Sequence, residues 1–543
     1  MSNLENENTC GTSCGCGSNV QGYWQDVENK VLPKEQLANE FSKDEFDSFS
    51  VEKTRRNFLK IMGFSVSALP LTGCIKIPVR KALPYIEKVD NLVPGVPNYY
   101  ASTFNNVPVL VKTREGRPIK IEGNEKSMTT YGGTCAQTQA SVLSLYDSGR
   151  YRAPMVDGKA VEWDEFDTKL KNALKSADGE IVVVTPPMHS PTGITVLGKF
   201  LENYNASHVV YEAVSTSAMS SANEITHGEM PHSEYDFEKA DVVIGLQSDF
   251  LGTLGNSVAN TRQYSKRRSA KHADGMNRHI QVEATMSMTG SNADYRYTKS
   301  LADQNDILLA TLAGLEGKKY KAKSENTEII KQILGELKAN PGKSLIISGV
   351  NDTNVQVITN KINTLLENYG KTIFVRKKLS ERLGKDEDFE NLVDKINQGK
   401  VGAVIFAGVN PVYSYHNQEK LTKALKKIKT VVSTASAPSE TAKAANFLAP
   451  ENHVYESWSD TLVSSKELSL TQPVIQPLFG SRMVSETLMS LADMEGSFYD
   501  QIKAYWSQSL EWNQVLHDGV AIVEENPTTY VAKNISTGAY EKA

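Results

Sequence analysis

The sequence predicts an α/β protein of parallel sheets flanked by helices, with a small β-hairpin region ahead of them. Two observations carry that expectation. Beyond Ala136, short β-branched runs alternate with amphipathic stretches, the pattern that builds βαβ units. Ahead of it, Val107–Val111 and Pro118–Ile121 are two short apolar runs joined through Glu115 and Gly116, which supply a hairpin turn.

The first 53 residues are polar and acidic and read as a solvated leader. Cys10, Cys14 and Cys16 lie close together there, but no fourth ligand is near, and four-coordinate sites need one. Residues 54–74 follow with paired Arg55 and Arg56, then an apolar run from Ile61 to Leu71. The run is shorter than the ~20 apolar residues a spanning helix needs. It resembles a twin-arginine export signal. Leu71-Thr72-Gly73-Cys74 resembles a lipobox, with Cys74 the lipidated residue. The resemblance implies a body exported to the periplasmic side of a bacterial inner membrane and anchored there by lipid.

Net charge is −5, so no global basic field favours nucleic acid. After the leader only Cys74 and Cys135 remain, which excludes a disulfide framework in the body. No Cys-x-x-Cys-His occurs, so no c-type haem is attached to this chain.

Residues 75–155 read as a Pro- and Lys-rich tether followed by the small β-rich domain. Residues 156–320 form a first α/β domain. Its expected strands are Ile181–Thr185, Val209–Glu212, Asp241–Leu246 and Ile280–Glu283. The Lys-rich stretch Lys318–Lys323 looks like a joint, and residues 321–460 form a second α/β domain. Its expected strands are Leu345–Ser348, Thr372–Val375, Val401–Phe406 and Thr430–Thr434. Thr192–Tyr204, Asn305–Gly314, Thr327–Asn340, Asn354–Tyr369, Phe389–Gln398 and Gln418–Ile428 are the expected helices. Residues 461–543 are an exit linker and C-terminal segment.

The clearest block is Val401–Asp460. Its strand ends at Gly408-Val409-Asn410-Pro411, and ligands of open parallel sheets sit beyond strand carboxyl ends. Gly408 lets a ligand approach the backbone, and Asn410 offers both donor and acceptor. Glu440, Thr441, Ala442, Ala445, Asn446, Leu448 and Pro450 then spell E-T-A-x-x-A-N-x-L-x-P, with Glu451 and Glu456 beyond.

This order resembles the late-chain signature of the molybdopterin oxidoreductases, G-x-N-P followed by E-T-A-x-x-A-D-x-V-L-P and a glutamate. Ala240-Asp241 through Gly245 is similar to that family's A-D-x-x-x-G strand. Tyr146, Arg150, Pro154 and Met155 resemble its Y-x-x-x-R-x-x-x-P-M segment. The resemblance implies a molybdopterin-oxidoreductase-like fold from about Tyr99 to about Gly519, with a pterin crevice near Gly408, Asn410, Glu440 and Thr441.

The family's metal chemistry is not spelled out in these residues. Its first domain holds a [4Fe–4S] cluster on four cysteines. The corresponding stretch here, Tyr99–Phe104, has none, and only Cys135 survives, as a relict near the fourth position. No cysteine follows Cys135 to serve as a molybdenum ligand. Ser215, Ser217, Ser220 and Ser221 are the candidates for an atypical serine ligand, with helix capping as the alternative. His227, Glu229 and His232 lie on a Pro-containing loop rather than a helix face. Lys266, Arg267 and Arg268 can meet a pyrophosphate or form a solvated helix face. Thr185-Pro186-Pro187-Met188-His189 ends a strand, as a ligand site or a plain turn.

The combination also resembles the molybdopterin-like part of the large iron–sulfur subunit of alternative complex III, a quinol:electron-acceptor oxidoreductase. Leu110–Glu122 and Gly132–Asp147 carry that likeness. It implies no cofactor on this chain, with iron–sulfur clusters and haem c on partner modules. The implied partners are an integral-membrane quinol-binding subunit, a multihaem cytochrome c subunit and a ferredoxin-like iron–sulfur module. The alternative is an active molybdenum bis-pterin oxidoreductase.

Overall fold

The chain ahead of the parallel sheets folds as an antiparallel meander of β1 (Asn98–Phe104), β2 (Val107–Arg114) and β3 (Arg117–Gly123). Glu115 and Gly116 turn β2 into β3 with φ of 51° and 73°. Positive φ at both central residues matches the right-handed strand twist, as the hairpin grammar predicts. Val109, Val111 and Ile121 are buried against helix Ala136–Leu145 and the Tyr455 ring. The sequence pattern gave no sign of β1 or of that helix.

The computed structural model describes residues 93, 95–228, 232–272, 274–376, 382–523 and 536–542. Arg55, Arg56, Cys74 and the leader cysteines Cys10, Cys14 and Cys16 lie outside the described residues, as does Glu229.

The next strands in chain order are β4 (Met155–Val156), β5 (Lys159–Ala160), β6 (Glu180–Thr185), β7 (Ser207–Val210), β8 (His232–Tyr235), β9 (Val242–Leu246), β10 (Arg278–Glu283) and β11 (Tyr295–Thr298). They continue with β12 (Ser344–Ser348), β13 (Ile373–Arg376), β14 (Val401–Phe406), β15 (Thr430–Ser433) and β16 (Phe447–Leu448). A seven-stranded sheet runs β5-β4-β16-β15-β14-β6-β7, parallel from β16 to β7. A four-stranded parallel sheet runs β11-β10-β9-β12.

Both sheets are covered on two faces, as the buried apolar residues on both sides of their central strands require. In the larger, Val183 and Ile405 pack under helices Trp163–Lys175 and Pro191–Tyr204. Their strand neighbours Val182, Val184 and Val404 face helices Asp386–Asn397 and Gln418–Leu425. The fold is therefore the expected α/β architecture with parallel sheets flanked by helices.

Its wiring differs from a linear reading. The seven-stranded sheet joins residues 155–210 to 401–448, and the four-stranded sheet joins 242–298 to 344–348. A cut at residue 320 passes through both. Lys318–Lys323 connects helices Leu301–Glu316 and Thr327–Ala339, which share one core, so it is not a joint between cores. Thr372–Val375 falls on β13, which leaves the parallel sheets and pairs antiparallel with β8. Its flanking segments look like any βαβ unit in sequence, and only the pairing partner differs.

Beyond β16, an antiparallel sheet of β17 (Ser459–Leu462), β18 (Glu467–Thr471) and β19 (Val520–Ile522) closes back on β1: Thr103 N–H donates to Thr471 Oγ1 at 3.1 Å. Among the described residues, no helix is long and apolar enough to cross a membrane.

Candidate functional site

The residues marked by the sequence meet at the carboxyl ends of β14 and β15. Gly408 leaves β14 with φ of 71°, and its N–H donates to Thr434 Oγ1 at 3.0 Å. A side chain there would be strained by that φ. Two residues on, Asn410 Oδ1 accepts from Thr441 N–H at 3.0 Å and from Thr441 Oγ1 at 2.7 Å. Asn410 Nδ2 donates to Glu440 Oε2 at 2.9 Å. That bond holds the Glu440 carboxyl below the usual carboxylate range. Ser439 caps the short helix Glu440–Ala444 that presents this pair. Gly408, Asn410, Glu440 and Thr441 are thus brought together, and the Asn410 amide is spent on the protein itself. Both its oxygen and its NH₂ have protein partners.

Deeper in the same loop, Glu451 N–H donates to Thr434 O at 3.0 Å. Burial pushes the Glu451 carboxyl up to about 7, against the weaker pull of Thr434 and Arg150. Next to it, Arg150 and Glu456 form a buried bidentate ion pair, with contacts of 3.1 and 2.6 Å. His453 is half-buried, and burial lowers its imidazole to about 4, so it is neutral at pH 7.

At the second sheet, the end of β9 is filled from within. A Cβ on Gly245 would lie 1.9 Å from Gln281 Oε1, so the glycine makes room for the glutamine. Gln281 belongs to a buried polar row on β10. Tyr264 Oη and His279 Nδ1 are 2.9 Å apart, and Gln281 Nε2 donates to Glu283 Oε2 at 3.2 Å. Arg296 Nε donates to Glu283 Oε1 at 2.6 Å. Burial works against the Glu283 charge, yet Ser287 and Arg296 hold its carboxyl below the usual range. Burial lowers His279 to about 4.

The run Lys266, Arg267 and Arg268 ends helix Ser257–Arg267 and is already paired. Lys266 meets Glu238 at 2.6 Å, Arg267 pairs with Asp241, and Arg268 forms a fork with Asp294 at 2.8 Å. These cations are engaged by carboxylates rather than presented to a pyrophosphate. Thr185 Oγ1, at the end of β6, lies 2.9 Å from His208 Nε2 and donates to Pro186 O at 2.7 Å.

Tyr99–Phe104, where the family resemblance places cluster cysteines, is strand β1, paired residue by residue from Asn98↔Thr113 to Phe104↔Val107. Cys135 is the one free cysteine among the described residues. It precedes helix Ala136–Leu145, with Sγ 3.1 Å from Thr138 Oγ1. A single thiol does not fit a four-iron cluster, which needs about four thiolates. Among the described residues, no three His, Cys, Asp or Glu side chains come together to hold a metal ion.

Sequence reasoning missed a cavity of about 500 Å³, lined by helix Ser217–His227, Tyr235, Phe250, Phe374 and the loops at Met128–Tyr131 and Val463–Lys466. Its walls come from segments far apart in the chain, and no local motif announces them. Of the four candidate serines, Ser220 lines it. Ser215 Oγ instead accepts from Ser217 N–H at 3.1 Å, a local turn contact one residue ahead of the N-cap Thr216, whose side chain does not cap the helix. His227 lies buried at the end of this helix, its Nδ1 2.7 Å from Thr226 Oγ1, and burial lowers it to about 4.

Parallel sheets ending in a G-x-N-P loop, with the Arg150–Glu456 pair behind it, define a molybdopterin-oxidoreductase body. A sequence profile for molybdopterin oxidoreductase matches residues 150–493, and the chain belongs to that family. The chain is 21% identical over 528 residues to the menaquinone reductase, molybdopterin-binding-like subunit of Nitratidesulfovibrio vulgaris. That alignment covers 83% of this chain and 74% of the relative. Acetylene hydratase from Pelobacter acetylenicus shares the fold, with a TM-score of 0.61 at 12% identity over 78% of this chain and 74% of that one.

Proposed function

We propose that the chain is a structural subunit of a membrane-bound respiratory quinone-linked oxidoreductase of the alternative complex III type. It lacks cofactors of its own and holds redox partners in place. The observation that carries this reading is the donor set. Where the family carries four thiolates, this body offers Cys135 and a continuous strand β1. Asn410 bonded to Glu440 and Thr441, Gln281 beside Gly245, and Arg267 and Arg268 on carboxylates support the same conclusion for the pterin crevice. The similarity to a menaquinone reductase subunit supports a quinone-reactive assembly.

In this reading the partners are an integral-membrane quinol-binding subunit, a multihaem cytochrome c subunit and a ferredoxin-like iron–sulfur module. Clusters and haem c reside on those partners. The Arg55-Arg56 signal exports the chain, and a lipid on Cys74 anchors it at the periplasmic side of the inner membrane. Tagging the chain in its native host and solubilising the membranes tests this. Stoichiometric recovery of the three partner types, with quinol:acceptor activity, is the expected result. A chain that purifies alone and reduces or oxidises dyes by itself contradicts it.

A second reading, a molybdenum bis-pterin enzyme with a serine ligand, draws on Ser220 in the cavity wall. Extractable pterin nucleotide, lost in Ser220→Ala, favours it.

A further inference from the structure

Among the described residues, the exposed large apolar side chains concentrate in the small N-terminal part. Eight of the twenty lie between Val93 and Tyr146. Three of them share one place in the fold. Leu143 and Tyr146 lie three residues apart at the end of helix Ala136–Leu145, on one side of it, and are 71% and 48% exposed. Tyr146 Oη donates to Pro118 O at 2.9 Å, which holds the ring over β3 beside Ile119, itself 49% exposed. Ile119 is exposed next to Lys120 because the β2–β3 register slips between Lys112 and Thr113. A bulge re-aims side chains in this way.

The rim has a sign. Arg117 faces Tyr146, and the hairpin carries Lys112, Arg114, Arg117 and Lys120 against Glu115 and Glu122, with Lys112 and Lys120 sharing Glu122 at 3.6 and 3.3 Å, which leaves the hairpin net positive. The whole chain is net −5, so this face opposes the charge of the body. An apolar centre with a charged rim is the anatomy of a specific protein interface.

We infer that the Ile119–Leu143–Tyr146 face docks a protein subunit whose contacting surface is apolar at its centre and acidic at its rim. This rests on the proposed assembly and names the surface it uses. A second copy joined through the same face would bring two net-positive rims together, which repels. A bilayer surface calls for a helix with a long apolar stripe. Helix Ala136–Leu145 instead turns Val142 and Leu145 into the core.

The test uses the full-length tagged chain in its native host, with partners identified and quantified by mass spectrometry. The double variant Ile119→Glu/Leu143→Glu is expected to lose one identified acidic-faced subunit at least tenfold. Met286→Glu, 71% exposed elsewhere, keeps it. Arg117→Glu is expected to weaken recovery most at low salt, since a rim charge acts by screened attraction. Unchanged recovery in the double variant overturns the surface while leaving the assembly intact. A wild-type chain with no partner overturns both. Loss of a homo-oligomer instead of a different subunit, or weaker partition of the double variant than of wild type onto phosphatidylglycerol vesicles, also overturns it.

Discussion

Arg150 and Glu456 lie 306 residues apart in sequence and form a buried two-point ion pair, with side-chain exposures of 3% and 0%. Arg150 Nη1 also donates to Leu145 O at 3.0 Å. The pair fastens the start of the family-like region to its late-chain signature. Arg150→Met leaves the Glu456 carboxylate buried without its cation, holding only the His453 and Leu478 N–H donors, and is expected to cost about 3–5 kcal/mol. Arg150→Met/Glu456→Leu, which removes both charges, is expected to cost clearly less. Urea unfolding midpoints of the four chains in this cycle check it.

Glu451 sets a pH dependence whose sign follows from burial. Its carboxyl is raised to about 7 in the folded chain, against the ordinary value near 4.5. The folded state therefore holds its proton longer than the unfolded one, and this group's contribution is complete below about pH 4.5. It is lost as pH rises through about 7, a change on the order of 3 kcal/mol. His279 and His453, lowered to about 4 from 6.5, act the other way, losing stability as pH falls through that range. Glu451→Gln is expected to remove the first slope and leave the second. Thermal melts of both chains between pH 5 and 8, subtracted, read it directly.

Gly245→Ala forces its new methyl onto Gln281 Oε1 and is expected to cost roughly 1–3 kcal/mol by overpacking. Adding Gln281→Ala frees the space and recovers part of that loss. Denaturant midpoints check both. A pterin-filled crevice predicts that Gly245→Ala also releases pterin nucleotide, whereas the scaffold reading predicts no nucleotide from either chain.

Asn410→Ala strips two hydrogen bonds from Thr441 and one from Glu440, and costs about 1–3 kcal/mol. In a scaffold, the quinol oxidation rate of the assembled complex is expected to match wild type. Steady-state kinetics at equal complex concentration measures it.

The element map was largely legible because burial on both faces leaves a strong mark. The expected strand at Val401–Phe406 matches residue for residue, and helix Thr192–Tyr204 differs by one residue at its start. Register and partner choice were not, because pairing is a long-range property. Nothing near Ile373 tells that β13 turns away to β8. The candidate loop was legible in outline, since Gly408, Asn410, Glu440 and Thr441 do meet. What Asn410 does there was not: a donor–acceptor amide reads the same toward a ligand or toward Thr441. The basic run at Lys266 hid its partners for the same reason, as Asp241 and Asp294 come from other turns of the chain.

The central claim is that this body works without a metal centre of its own. The direct measurement is iron and molybdenum per chain, by elemental analysis and EPR, on the full-length chain separated from its partners after purification from its native host. The account predicts far less than one atom of either per chain and no cluster signal, unchanged in Cys135→Ser. Stoichiometric iron or molybdenum, lost on substitution of Cys135 or Ser220, would contradict it.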